Sequence, residues 1–150
     1  MGEAGDLPSS VLFACTHNSI RSPMAAALMR LHFGPLIRVD SVGVRPGEGV
    51  SPMAAFVMDE VGADIAGPRP KGFDAFEEDL AFDLIVTLSP EAHHRALDLV
   101  PKLAAKAEYW ATFDPSLTEG SREQVLWEYR NVRDGLERRI ALRFQRPSTG

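Results

Sequence analysis

Val11-Leu12-Phe13-Ala14-Cys15-Thr16-His17-Asn18-Ser19-Ile20-Arg21-Ser22-Pro23 is the stretch on which the reading of this 150-residue chain turns. Its first five residues form a short apolar run of the kind that fills a buried parallel strand. Ser22-Pro23 reads as a helix start, an N-cap serine followed by a first-turn proline. The residues between can curl so that successive backbone N–H groups point inward and cradle a tetrahedral anion. Phosphate is the natural guest. Arg21 can close the ring with two parallel hydrogen bonds, a geometry lysine cannot reproduce. Cys15, at the strand end, lies in the positive field that favours a thiolate. Ionisation alone gains little, because a less basic thiolate is also a weaker nucleophile, with a slope of about 0.4–0.5. Most of any acceleration therefore falls to Arg21, the backbone dipoles and a proton donor for the leaving oxygen.

Working outward, Phe82–Leu88 is a second apolar β-branched run, and Ile37–Val42 and Ala107–Trp110 are weaker strand candidates. Between them lie helical patterns. Met24, Ala27, Leu28 and Leu31 share one face after Pro23, and Ala54, Met58 and Val61 share one after Pro52. Ser51-Pro52 and Ser89-Pro90 repeat the cap-then-proline signature. Val125, Tyr129, Val132, Leu136, Ile140 and Phe144 mark a long amphipathic helix near the C-terminus. Strands alternating with helices predict an α/β fold: a single open, doubly wound, four-stranded parallel sheet with helices on both faces. Ligands bind such sheets at the carboxyl ends of the strands, where Cys15 stands.

The expected organisation is a disordered extension over residues 1–9, one domain over 10–145 and a short tail over 146–150. Composition agrees with a single soluble domain, at 45% hydrophobic and 25% charged residues. No apolar stretch approaches the roughly 20 residues of a bilayer span. The first residues lack a signal-peptide pattern, so a cytoplasmic location and no membrane partner are expected. A formal net charge of -5 offers no bulk attraction for a nucleic-acid backbone. With a single cysteine, the chain can form neither an internal disulfide nor a cysteine-based zinc site.

Around these residues the sequence resembles the low-molecular-weight protein tyrosine phosphatases and the thiol-dependent arsenate reductases of the same fold. The likeness runs from about Ser10 to Phe144. It rests on the Cys15–Pro23 loop, Asp40-Ser41, Glu60–Ile65, Phe82–Leu88 and Phe113-Asp114-Pro115. It implies that Cys15 is the nucleophile, that Arg21 grips phosphate and that Asp114 protonates the leaving group. By the same resemblance Ser22 would hydrogen-bond the thiolate and Asn18 would brace the loop. Thr16, His17, Asn18, Ser19, Ile20 and Ser22 would complete the phosphate-binding loop.

The departures carry information too. Family members acting on phosphotyrosine carry aromatic residues after Asp-Pro and after the second strand, where this chain has Ser116–Gly120 and Val44–Gly49. A histidine that supports the loop in the family is missing near Ala66-Gly67-Pro68. Two further cysteines relay a disulfide in thioredoxin-coupled reductases, and their positions correspond to Ser89 and Ala96.

The expectation is therefore a cysteine-dependent, metal-independent phosphomonoester hydrolase working through a phosphocysteine. The alternatives are an arsenate reductase using an external thiol or redox partner, and a non-catalytic anion binder or adaptor. The expected partners are a phosphorylated small molecule or protein as substrate, and phosphate or arsenate as inhibitory oxyanions. No cofactor is expected. His93 and His94 are adjacent and diverge on a helix, so no metal site is expected from them. The arginines of the last helix, interleaved with Glu128, Asp134 and Glu137, read as a solvated face laced with i,i+4 pairs.

Overall fold

The computed structural model describes residues 7–76, 81–102 and 105–145. Strand β1 (Ser10–Cys15) leads through helix α1 (Arg21–Phe33) to β2 (Arg38–Gly43) and α2 (Pro52–Asp59). Then follow β3 (Leu84–Thr87), α3 (Pro90–Leu99), β4 (Lys106–Tyr109) and the long α4 (Arg122–Arg143). The strands pair in parallel in the order β2-β1-β3-β4. From β1 the chain first moves to one side, to β2, and then crosses to the other, to β3. The switch point therefore lies between the carboxyl ends of β1 and β3, beside Cys15 and Leu88.

Alternation along β1 divides the core between the two faces. Val11, Phe13 and Cys15 pack with buried residues of α1, α2 and α4, whereas Leu12 and Ala14 pack with Ala92 and Ala96 of α3 and with Phe73 and Phe82. The expected doubly wound α/β sheet is the one observed. Leu7 packs against the core, and both the main-chain N–H and the hydroxyl of Ser9 donate to Asp83. Residues 1–6 of the expected extension, and the expected tail 146–150, lie outside the described residues.

Three local expectations need correction. Helix α1 begins at Arg21 with Ile20 as its N-cap, and no side chain caps it. Ser22 is therefore inside the first turn, and Pro23 occupies the third helical position, where a missing N–H costs nothing. Ser51 and Ser89, by contrast, do cap α2 and α3, accepting from Ala54 N and Ala92 N. Secondly, α1 has no single apolar stripe: it is buried from Arg21 to Met29, while Leu31 is 49% exposed. Wedged between the sheet and α4, its first turns have no solvent face.

Thirdly, several α4 cations tie elements together rather than forming i,i+4 pairs. Arg130 and Arg133 both bond Glu60 just beyond α2, Arg143 bonds Glu108 of β4, and Arg139 lies over the Trp110 ring. The hydrogen bond from Arg130, joined by that from Arg133, outweighs desolvation and lowers Glu60 from 4.5 to about 2. A carboxyl depressed in the folded state stabilises the fold above its unfolded pKa and loses that contribution as pH falls through the folded value. The stabilisation should be full above about pH 5 and fade toward about pH 2. Glu60→Gln should flatten this acid limb in melts recorded across that range.

Candidate active site

Residues 16–20 wrap over the end of β1 because their carbonyls are engaged on the outside. Val44 N, Arg45 N, Gly47 N and Ser51 N donate to the carbonyls of Cys15, Thr16, His17 and Ser19. With these carbonyls held by the 44–51 segment, the Asn18 N–H points to Cys15 Sγ at 3.3 Å, the orientation an anion nest requires. This needs close approach: a Cβ on Gly43 would stand 2.6 Å from Asn18 N, and one on Gly47 would stand 2.7 Å from Ser19 Oγ. Asn18 sits in the left-handed region, with φ of 55°. Its amide nitrogen donates to Ser22 Oγ at 2.8 Å and Ser41 Oγ at 2.9 Å, and its carbonyl oxygen accepts from Lys71 N at 2.9 Å. The partners of the Asn18 amide are thus two serine hydroxyls and one main-chain N–H.

Cys15 is 2% exposed, and its Sγ has Ser22 Oγ at 3.0 Å and Asn18 N at 3.3 Å. Ser22 Oγ also lies 3.2 Å from the Val42 carbonyl. The hydroxyl has one proton and two places to put it. Opposite a neutral thiol it can donate to Val42 and accept the S–H; opposite a thiolate it turns and donates to sulfur. This is why Ser22 is committed here rather than to capping α1.

Arg21 is buried, and its Nη1 donates to the Thr112 carbonyl at 3.0 Å and more weakly to that of Leu88 at 3.5 Å. Those carbonyls belong to the segments that follow β4 and β3. They carry the guanidinium to Asp114, whose Oδ2 is 3.9 Å from Arg21 Nη2. Asp114 Oδ1 is occupied, accepting from Ser116 N at 3.0 Å and Ser116 Oγ at 2.7 Å. One oxygen is anchored and the other faces the cation. Cysteine, arginine and acid are therefore brought to one end of the sheet.

The sequence profile of the low molecular weight phosphotyrosine protein phosphatases matches residues 10–144. The chain belongs to that family. Among its phosphatase-family relatives, an arsenate reductase of Bacillus subtilis is 32% identical over 87% of this chain and 91% of its own length. A solved arsenate reductase in the phosphate binding state shares 28% identity, covers 88% of this chain and 93% of its own, and has a TM-score of 0.66. The YwlE arginine phosphatase from Geobacillus stearothermophilus shares 26%, covers 89% and 88%, and has a TM-score of 0.69. Proteins similar to this chain thus carry the names of both chemistries.

The remaining loop residues are positioned as follows. Thr16 Oγ1 donates to Ser89 Oγ at 3.1 Å, joining the loop to the start of α3. Exposed His17 sits on the rim, its Nδ1–H donating to the Arg45 carbonyl at 2.9 Å. Ser19 Oγ turns back to the His17 carbonyl, and Ile20 packs against the core. Next to Asp114 the aromatic residue is Phe113, 53% exposed and preceding the acid rather than following it. His93 serves the scaffold, bonding Thr87 Oγ1 and stacking on Tyr109. Sequence reasoning did not give roles to Thr112 and Lys71, which act through main-chain atoms that no side-chain pattern reveals.

Proposed function

We propose that the chain is a metal-independent phosphomonoester hydrolase, with aryl phosphates as the substrates on which to test it. What supports this reading is that Cys15 stands at the end of β1 with Ser22 Oγ on its sulfur, while Arg21, at the start of the following helix, bonds the Thr112 carbonyl and lies 3.9 Å from Asp114 Oδ2. Cys15 attacks phosphorus in line while Arg21 and the loop N–H groups hold the equatorial oxygens. As the P–O bond breaks, Asp114 gives its proton to the departing oxygen. The resulting carboxylate takes a proton from the water that attacks the phosphocysteine, which frees phosphate and restores the thiolate.

Acid quenching during aryl phosphate turnover should trap a phosphoryl group on Cys15, together with released phosphate. Absence of both overturns the reading. Asp114→Asn should lower turnover about 10²–10⁴-fold for poor leaving groups and much less for good ones, whose oxygens need no proton. A leaving-group series measured on both proteins checks this.

A second reading is favoured by relatives at 32–34% identity that are named arsenate reductases. Arsenate and phosphate suit one nest, and Cys15 would form the arsenate adduct. Ser89 caps α3 and Ala96 is a buried residue of the same helix, so an outside thiol system would have to supply the electrons and become a disulfide. Arsenate-dependent oxidation of a supplied thiol, without phosphate ester hydrolysis in the same preparation, would select this reading over the first.

A further inference from the structure

Asn18 combines a left-handed backbone, φ 55°, with an amide engaged at both ends. Its nitrogen is shared by Ser22 and Ser41, and its oxygen depends on the main-chain N–H of Lys71. Lys71 lies in a connection outside the named strands, so something must fix its position against the loop. Gly43 N donates to the Lys71 carbonyl at 2.8 Å, and Gly43 and Gly72 form an isolated parallel bridge. The side chain adds a second anchor, with Lys71 Nζ 2.6 Å from Asp40 Oδ1. Asp40 is itself fixed on β2, accepting from Ser41 N at 2.8 Å with Arg30 Nη2 at 3.8 Å. A continuous set of contacts therefore leads from the Asp40–Lys71 pair through Asn18 and Ser22 to the Cys15 sulfur.

We propose that Asp40 and Lys71 are positioning residues: their ion pair holds the Lys71 N–H on Asn18, which keeps the loop in its anion-binding shape and Ser22 directed at sulfur. Neither side chain touches the anion. The pair is about one-third exposed, so its own contribution to stability is small. Its effect is geometric, and small displacements of binding groups are costly to function. The inference rests on the loop being the anion site proposed above.

The test measures how well inorganic phosphate protects Cys15 from iodoacetamide, which requires no turnover, alongside kcat and KM for an aryl phosphate. Asp40→Asn keeps the acceptor for Ser41 N but removes the charge, and Lys71→Met removes the ammonium. Each should weaken phosphate protection about tenfold while melting stays cooperative, and Lys71→Arg should remain within about threefold of the parent. Undiminished protection in Lys71→Met, or Lys71→Arg behaving no better than Lys71→Met, overturns the proposal. An unaltered protein that is protected by phosphate yet hydrolyses no ester overturns the hydrolase reading alone.

Discussion

Cys15→Ser should lower aryl phosphate turnover by about 10⁴-fold or more while leaving inorganic phosphate bound. A serine hydroxyl keeps the hydrogen-bonding place beside Ser22 and Asn18 N, so the loop has no reason to reorganise. It stays protonated at neutral pH, however, and neither group bonded to the Cys15 sulfur is a base that could activate it. Ser22 offers a hydroxyl and Asn18 a main-chain N–H. Steady-state rates and phosphate titration on the same preparation check both halves. Ordinary turnover in a folded Cys15→Ser protein would remove the cysteine from the mechanism.

Arg21→Lys should cost about 10³-fold in kcat/KM, within the range attributed to arginines that stabilise phosphoryl transfer. Arg21 has two jobs. In the proposed mechanism it offers a planar fork to the anion, and in the structure it bonds the Thr112 and Leu88 carbonyls of the segments after β4 and β3. Lysine keeps the charge but loses the fork. The loss should therefore appear in both KM and kcat and extend to good leaving groups, unlike that of Asp114→Asn. A leaving-group series on the two variants separates grip from proton donation. Retention of full activity in Arg21→Lys would place the essential cation elsewhere.

The contiguous part of the site could be read from sequence because strand, loop and helix are neighbours in the chain, so residue spacing translates directly into space. Asp114 was accessible only through resemblance, since Asp-Pro turns are common. Serine before proline usually caps a helix, but at Ser22 the demand of the Cys15 sulfur and the Asn18 amide outweighs that local preference. The α4 arginines followed a local charge pattern in sequence, yet Glu60 and Glu108 reach them from other elements. The Lys71 and Thr112 contributions come from main-chain atoms common to nearly every residue type, and only their placement makes them specific.

The sulfur at the bottom of the nest has no second thiol in the chain to turn to. If peroxide converts Cys15 to a sulfenic acid, the usual internal escape by condensation with a neighbouring cysteine is closed. Recovery then depends on reductants diffusing in from outside, and further oxidation to the sulfinic acid ends activity for good. Occupancy of the nest by an oxyanion would set how long the sulfur is open to that damage.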